Sequence, residues 1–192
     1  MGMPAAQRRW TIAEVRQLIE DSPMYGPRYE LIDGELLVTP APAPPHQMAL
    51  AWLFERLQPY VREQQLGTVL WSPADIELEK GQLTQPDLFV LPRSLRRSFR
   101  SWVEVTGLLL AIEALSPSTA RNDRTRKRPY YQRVGVPEYW IVDVSARLVE
   151  RWRPTDARPE VLTSTLVWQP EGASKPLTLN LDELWVLLAS DE

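Results

Sequence analysis

The run Leu108-Leu109-Leu110-Ala111-Ile112-Glu113-Ala114-Leu115 reads as a buried strand, yet it contains a glutamate. Short, continuous apolar runs of this kind belong to sheet interiors. A carboxylate embedded among aliphatic side chains costs several kcal/mol of desolvation unless it is paired, hydrogen-bonded or holding a metal. A second acid, Asp87, directly follows Pro86 and opens the apolar run Leu88-Phe89-Val90-Leu91. The chain must therefore build a core that accommodates two acids, and a magnesium site is the candidate explanation.

Composition removes most competing chemistries. The absence of cysteine excludes disulfides, thiol nucleophiles and the usual cysteine-containing structural zinc sites. The single histidine, His46, rules out a multi-histidine metal centre, and no Gly-x-Ser-x-Gly elbow accompanies it. With 8 glycines the chain has neither common phosphate-binding loop, which argues against ATPase or dinucleotide chemistry. Carboxylates, lysine, tyrosine and a hard cation remain for hydrolytic work.

A length of 192 residues, 44% of them hydrophobic, suits one domain with one sizeable core. The expected division runs from an N-terminal helix, hairpin and Pro-rich loop (1–45) through a core (46–145) to a C-terminal hairpin and helix (146–192). No apolar run approaches the roughly 20 residues of a bilayer span. Arg8-Arg9 is followed by Trp10-Thr11-Ile12-Ala13-Glu14, which turns charged too soon for a signal peptide. The expectation is a cytoplasmic protein without membrane contact. A net charge of -3 exerts no global pull toward nucleic acid.

Charge is nonetheless unevenly distributed. Between Arg93 and Arg133 stand ten Lys/Arg, namely Arg93, Arg96, Arg97, Arg100, Arg121, Arg124, Arg126, Lys127, Arg128 and Arg133, against the three acids Glu104, Glu113 and Asp123. A basic segment bracketing an acidic pocket suits a nuclease, which attracts a phosphate backbone while holding a cation at the cut. Arg121, Arg124, Arg126 and Arg128 are the candidate nucleic-acid contacts. A solvated helix face and loop would read the same way.

Patterning gives the element order. Thr11 with Glu14 forms a capping box for a short helix ended by Pro23. Asp33-Gly34 joins Tyr29-Ile32 to Glu35-Val38 as a hairpin. His46 to Gln64 reads as a helix with Leu50, Leu53, Phe54, Leu57 and Val61 on one face and a bend possible at Pro59. Strands are expected at Thr68-Trp71, Asp75-Leu78, Asp87-Leu91 and Leu109-Leu115, then a helix from Thr119 to Val134 and a strand at Glu138-Asp143. Arg147-Arg153, Val161-Leu166 and Leu177-Leu179 follow as strands, and Asp182-Leu188 as a helix. This order predicts an α/β architecture, an α+β mixed sheet with helices on its faces and an added N-terminal helix and hairpin.

Several segments together carry a resemblance. They are Arg28-Tyr29-Glu30-Leu31-Ile32-Asp33-Gly34-Glu35-Leu36, Pro45-His46-Gln47, Gln85-Pro86-Asp87-Leu88 and Glu113-Ala114-Leu115-Ser116-Pro117-Ser118-Thr119. Asp123, Lys127 and Tyr131 follow at four-residue spacing, and then Gly135-Val136-Pro137-Glu138-Tyr139-Trp140-Ile141-Val142-Asp143. Over about residues 10 to 155 the chain resembles the restriction endonuclease family labelled Uma-two, assigned to the PD-(D/E)XK nuclease superfamily. The resemblance implies a restriction-endonuclease-like core and a magnesium-dependent phosphodiesterase site in which manganese substitutes. It makes Asp87 and Glu113 the metal-holding acids and Lys127 the catalytic lysine. The superfamily lysine usually stands two residues after the glutamate, where this chain has Leu115, so Lys127 on the following helix is its migrated substitute. Asp123, one helical turn earlier, would orient or partly neutralise it. Glu30 would be a further acid near the metal.

Each residue has a plainer reading as well. Asp87 could cap a strand at a turn, Glu113 could pair with an internal arginine, Glu30 could face solvent, and Lys127 could be one more solvated cation. His46 reads as a helix-start or surface residue, and Tyr131, Tyr139 and Trp140 as core aromatics. Pro129 either removes a helix hydrogen bond or marks the true helix start, which would put Lys127 in a loop. Two functions follow: a DNA endonuclease, expected as a homodimer since cutting both strands generally needs two sites, or a catalytically inactive nuclease-fold module that binds nucleic acid or a protein partner.

Overall fold

The computed structural model describes residues 8–23, 26–95 and 100–189. Helix α1 (Ile12–Asp21) starts at the expected capping box: the Glu14 amide donates to Thr11 Oγ1, and the Thr11 amide donates to the Glu14 carboxylate at 2.8 Å. Strands β1 (Arg28–Ile32) and β2 (Glu35–Thr39) form an antiparallel hairpin. Its turn residues have positive φ, 51° at Asp33 and 77° at Gly34, the left-handed conformations that asparagine-, aspartate- and glycine-rich hairpin turns supply. Helix α2 (Pro44–Glu63) has proline in its first turn, where the missing N–H costs nothing, and runs through Pro59.

Six strands make the central sheet, in the order β3 (Gly67–Trp71), β4 (Leu88–Pro92), β5 (Leu110–Ala114), β6 (Tyr139–Asp143), β7 (Leu148–Trp152) and β8 (Glu160–Leu162). Neighbours are antiparallel except β5 and β6, which run parallel. Strands β9 (Thr165–Trp168) and β10 (Leu177–Asn180) form a separate pair before helix α5 (Leu181–Ala189). The mixed sheet with helices matches the expected α+β class, and β7 and β8 carry it past residue 145 without a break. Among the described residues no helix is long and apolar enough to cross a membrane.

Period-two alternation sends side chains to two faces. Leu88, Val90, Leu110, Ile112, Ala114, Trp140 and Val142 pack against Trp52, Leu53, Leu57 of α2 and Leu184, Trp185 of α5. Phe89, Leu91, Ala111, Tyr139 and Ile141 point the other way, onto Tyr130 and Tyr131. Those tyrosines belong to the connection that the parallel β5–β6 pair requires.

That connection differs from the single helix expected over 119–134. It consists of α3 (Ala120–Asn122), a π turn (Asp123–Lys127) and α4 (Arg128–Arg133). The Arg128 amide donates to the Asp123 carbonyl, an i to i−5 bond. Pro129 is the physical reason: it has no N–H and crowds the carbonyl four residues earlier, so a wider turn precedes it and it falls in the first turn of α4. Lys127 stays helical rather than entering a loop.

Two expected strands also differ. Asp75-Leu78 forms only an isolated bridge, Ile76 to Thr84, because Glu77 turns back to accept the Gly81 amide at 2.8 Å. Val161-Leu166 splits between β8 and β9, which lie in different sheets.

Candidate active site

The two acids meet because of strand register. Strands β4 and β5 pair Leu88 with Ile112 and Phe89 with Ala111, so one step further Asp87 stands opposite Glu113. Both share the face occupied by Phe89 and Ala111, beneath the crossover. The Ala114 amide reaches across to donate to Asp87 Oδ2 at 3.0 Å, tying the two strand ends together.

Lys127, at the end of the π turn, enters this face from above. Its Nζ lies 2.8 Å from Glu113 Oε1, 2.7 Å from Glu30 Oε2 and 3.6 Å from Asp123 Oδ1. All four residues are buried, and Lys127 is 2% exposed. Glu30 is fixed on its other oxygen by the Gln85 amide at 2.7 Å. Gln85 in turn donates through Nε2 to Asp75 Oδ1 at 2.7 Å. The i, i+4 spacing of Asp123 and Lys127 places them on one helical face, with Asp123 as the most distant of the three acids.

Asp87 has its own set of partners. Arg28 NH1 lies 2.7 Å from its Oδ1, and His46 Nε2 lies 2.9 Å from its Oδ2. The first turn of α2 thus delivers His46, and the first residue of β1 delivers Arg28, onto a carboxylate at the head of β4.

These surroundings push the acids apart. Burial alone would raise the Asp87 carboxyl, but the hydrogen bond to His46 and the Arg28 charge hold it well below the usual carboxylate range. Glu113 is driven well above its ordinary value by burial and by the neighbouring carboxylates, against the opposing pull of Lys127. Burial also raises Asp123. Lys127 loses hydration, yet Glu113, Glu30 and Asp123 more than compensate and keep it a cation. Four buried carboxylates (Glu30, Asp87, Glu113, Asp123) face two cations (Arg28, Lys127), which leaves two negative charges when all are ionised.

Asp87 and Glu113 open together onto a cavity of about 100 Å³ that also touches Arg28, His46, Ser116 and Lys127. The donor set fits a hard divalent cation. Two carboxylates on adjacent strands supply oxygen ligands, a divalent charge would offset the carboxylate crowding that raises Glu113, and the cavity leaves room for water. Among the described residues no three His, Asp or Glu side chains form a ready-made cage. Magnesium does not need one, since it keeps several waters and commonly takes one or two carboxylates.

The other sequence-based expectations fare unevenly. Glu30 stands against Lys127 and is not among the residues lining the cavity of Asp87 and Glu113. Among the described residues, three of the four candidate contact arginines have partners within the fold. Arg124 is bound to Asp143 and Glu150, Arg126 to Glu35, and Arg128 to the Arg124 carbonyl and Gln132 while covering the Trp152 ring. Arg121 is exposed and lines neither this cavity nor the larger cleft beside it. Arg96 and Arg97 lie outside the described residues.

Sequence reasoning assigned no role to Arg28 or Gln85 and read His46 as a helix-start or surface residue. His46 does stand in the first turn of α2, but it is buried against Asp87. A signal was available: Arg28, His46 and Gln85 each lie inside a segment that carries the family resemblance.

Comparisons with known proteins bear on the family and the fold. The family model Uma2, described as "Putative restriction endonuclease", matches residues 13–187. Among solved structures, a chain described as a "putative nuclease belonging to DUF820" from Anabaena variabilis ATCC 29413 is 22% identical, with a TM-score of 0.72. The match covers 91% of this chain and 98% of that one. No curated protein matches the chain.

Proposed function

Because the chain belongs to the Uma2 family, we propose that it is a metal-dependent nuclease that hydrolyses DNA phosphodiester bonds at the cavity shared by Asp87 and Glu113. One observation carries the reading: two carboxylates from adjacent strands and a buried lysine from the crossover converge on a single small cavity.

Asp87 and Glu113 would hold magnesium, or manganese in its place. Such an ion lowers the pKa of bound water and offsets charge developing on phosphate oxygens. The protein's own groups do the positioning. Arg28 and His46 hold Asp87 ionised and oriented, so it presents a charged oxygen donor at neutral pH. Lys127 brings a compact cation to the same cavity, where it can orient the attacking water and stabilise the pentacoordinate phosphorus transition state. Glu30 and Asp123 fix the ammonium against Glu113 rather than letting it range over the cavity. Arg28, whose side chain is 19% exposed at the cavity wall, is placed to meet a phosphate oxygen. Direct attack by water needs no covalent enzyme intermediate.

The test is cleavage of supercoiled plasmid and of single-stranded DNA with magnesium or manganese, repeated with Asp87→Asn and Glu113→Gln. Activity in the wild type and at least a 100-fold loss in both variants, each still folded, is the expected result, a loss on the order of that for removing key charge stabilisation. A wild type that cuts no substrate with either ion would refute the reading.

A further inference from the structure

The small cavity adjoins a larger one. This cleft of about 530 Å³ shares with it Arg28, His46, Asp87 and the Thr39 to Pro42 loop. That volume falls within the roughly 300–1,000 Å³ typical of sites for compact organic groups. The rest of its lining is mostly apolar and aromatic: Trp71 and Pro73, with Leu50, Ala51 and Phe54 from α2.

Trp71 is the unusual member. It ends edge strand β3, 57% exposed, with its ring edge-on to Phe54 at 5.0 Å between centroids and 85° between planes. Phe54 thereby braces the indole, which lines the cleft and stays largely exposed. Exposed tryptophan is costly in water, and here it borders a cleft that adjoins the proposed phosphodiester site.

Resting on the nuclease reading above, we propose that this cleft receives an unpaired nucleobase adjacent to the phosphodiester being cut, with Trp71 as its stacking platform. The physical reason is continuity. A nucleotide joins an anionic phosphate to a flat apolar base, and the protein sets Arg28 and the acidic cavity beside an aromatic, proline-walled cleft that shares Arg28, His46 and Asp87 with it. Aromatic faces bind any base by stacking and so give affinity without sequence preference. In an intact duplex both faces of a base are covered by its neighbours, so only an unpaired one fits. The favoured substrates are therefore single strands, flaps or nucleotides extruded from a duplex. A protein segment would equally find an apolar wall, but it would not need the arginine and the cation-binding acids beside it.

Binding and cleavage of a labelled oligonucleotide of about 12 nucleotides, within the footprint range of single-strand sites, and of its blunt duplex test this. Fluorescence anisotropy in chelator gives affinity, and turnover in magnesium or manganese gives KM and kcat. The wild type should bind the single strand at least about 10-fold more tightly than the duplex, Trp71→Ala should lose about 10-fold on the single strand alone, and Trp71→Phe should stay within about 3-fold. In turnover the Trp71→Ala loss should appear in KM with kcat little changed. A cleaving wild type whose single-strand affinity and KM do not respond to Trp71→Ala overturns this inference and leaves the nuclease reading standing. Equal losses on both substrates also overturn it. A protein that neither binds nor cuts any substrate overturns both.

Discussion

Lys127 Nζ and Glu113 Oε1 form a 2.8 Å ion pair between the crossover and the central sheet, with both side chains buried. Glu30 makes the same cation a bridge to the N-terminal hairpin. Removing one partner from such a cluster leaves charge uncompensated in a low-dielectric setting, which is far worse than removing both. Lys127→Met should therefore cost about 3–5 kcal/mol of stability, measured by urea denaturation, and abolish cleavage. Adding Glu113→Gln to it should recover part of the stability but none of the activity. A Lys127→Met protein as stable as the wild type would show that the ammonium is not buried among these acids.

The facing acids Asp87 and Glu113 make a prediction that needs no substrate. Magnesium or manganese at 100 times its dissociation constant should stabilise the wild type by about 2.7 kcal/mol, seen as a rise in Tm that chelator reverses. Asp87→Asn and Glu113→Gln should each lose that response. If both variants respond as the wild type does, the cation binds elsewhere.

Local signals in the sequence carried much of this architecture and part of the site. The capping box at Thr11, the Asp33-Gly34 turn and the apolar runs of β4, β5 and β6 are decided by neighbours in the chain, and all form. Asp87 and Glu113 stood out because desolvation makes an acid in such runs conspicuous. Pairings set by tertiary structure were hidden. No spacing rule says that the first turn of α2 turns His46 inward, or that Arg124 finds Asp143 and Glu150 on β6 and β7. Pro129 advertised an irregularity near Lys127, but only packing against Glu113 and Glu30 shows that a π turn resolves it.

The internal pairing of Arg124 favours a structural role over a nucleic-acid contact. Its Nε lies 2.7 Å from Glu150 and its NH2 2.8 Å from Asp143, so its fork is occupied by two strands of the sheet. With the side chain 36% exposed, solvent screens these pairs. Arg124→Ala should lower stability by about 1 kcal/mol and leave nucleic-acid affinity and its salt dependence unchanged. A flattened dependence of affinity on salt in this variant would restore the basic segment as a binding surface.

Tyr130 and Tyr131 of the crossover pack with Tyr139 of β6 against the sheet, and burial raises all three hydroxyls above their ordinary value of 10.0. For Tyr131 and Tyr139 the nearby carboxylates add to the effect. The sign of the linkage follows. Because the folded-state values exceed the unfolded ones, the unfolded chain binds fewer protons above pH 10. Stability is then full below that pH and falls as pH rises toward the folded values. Tyrosinate absorbance on raising the pH should show these three of the six tyrosines ionising only together with loss of tertiary structure. Tyr131→Phe, which removes one such group, should shift alkaline unfolding to higher pH relative to its own stability at pH 7. Free titration of all six near pH 10 in the folded protein would mean that the crossover does not seal this face of the sheet.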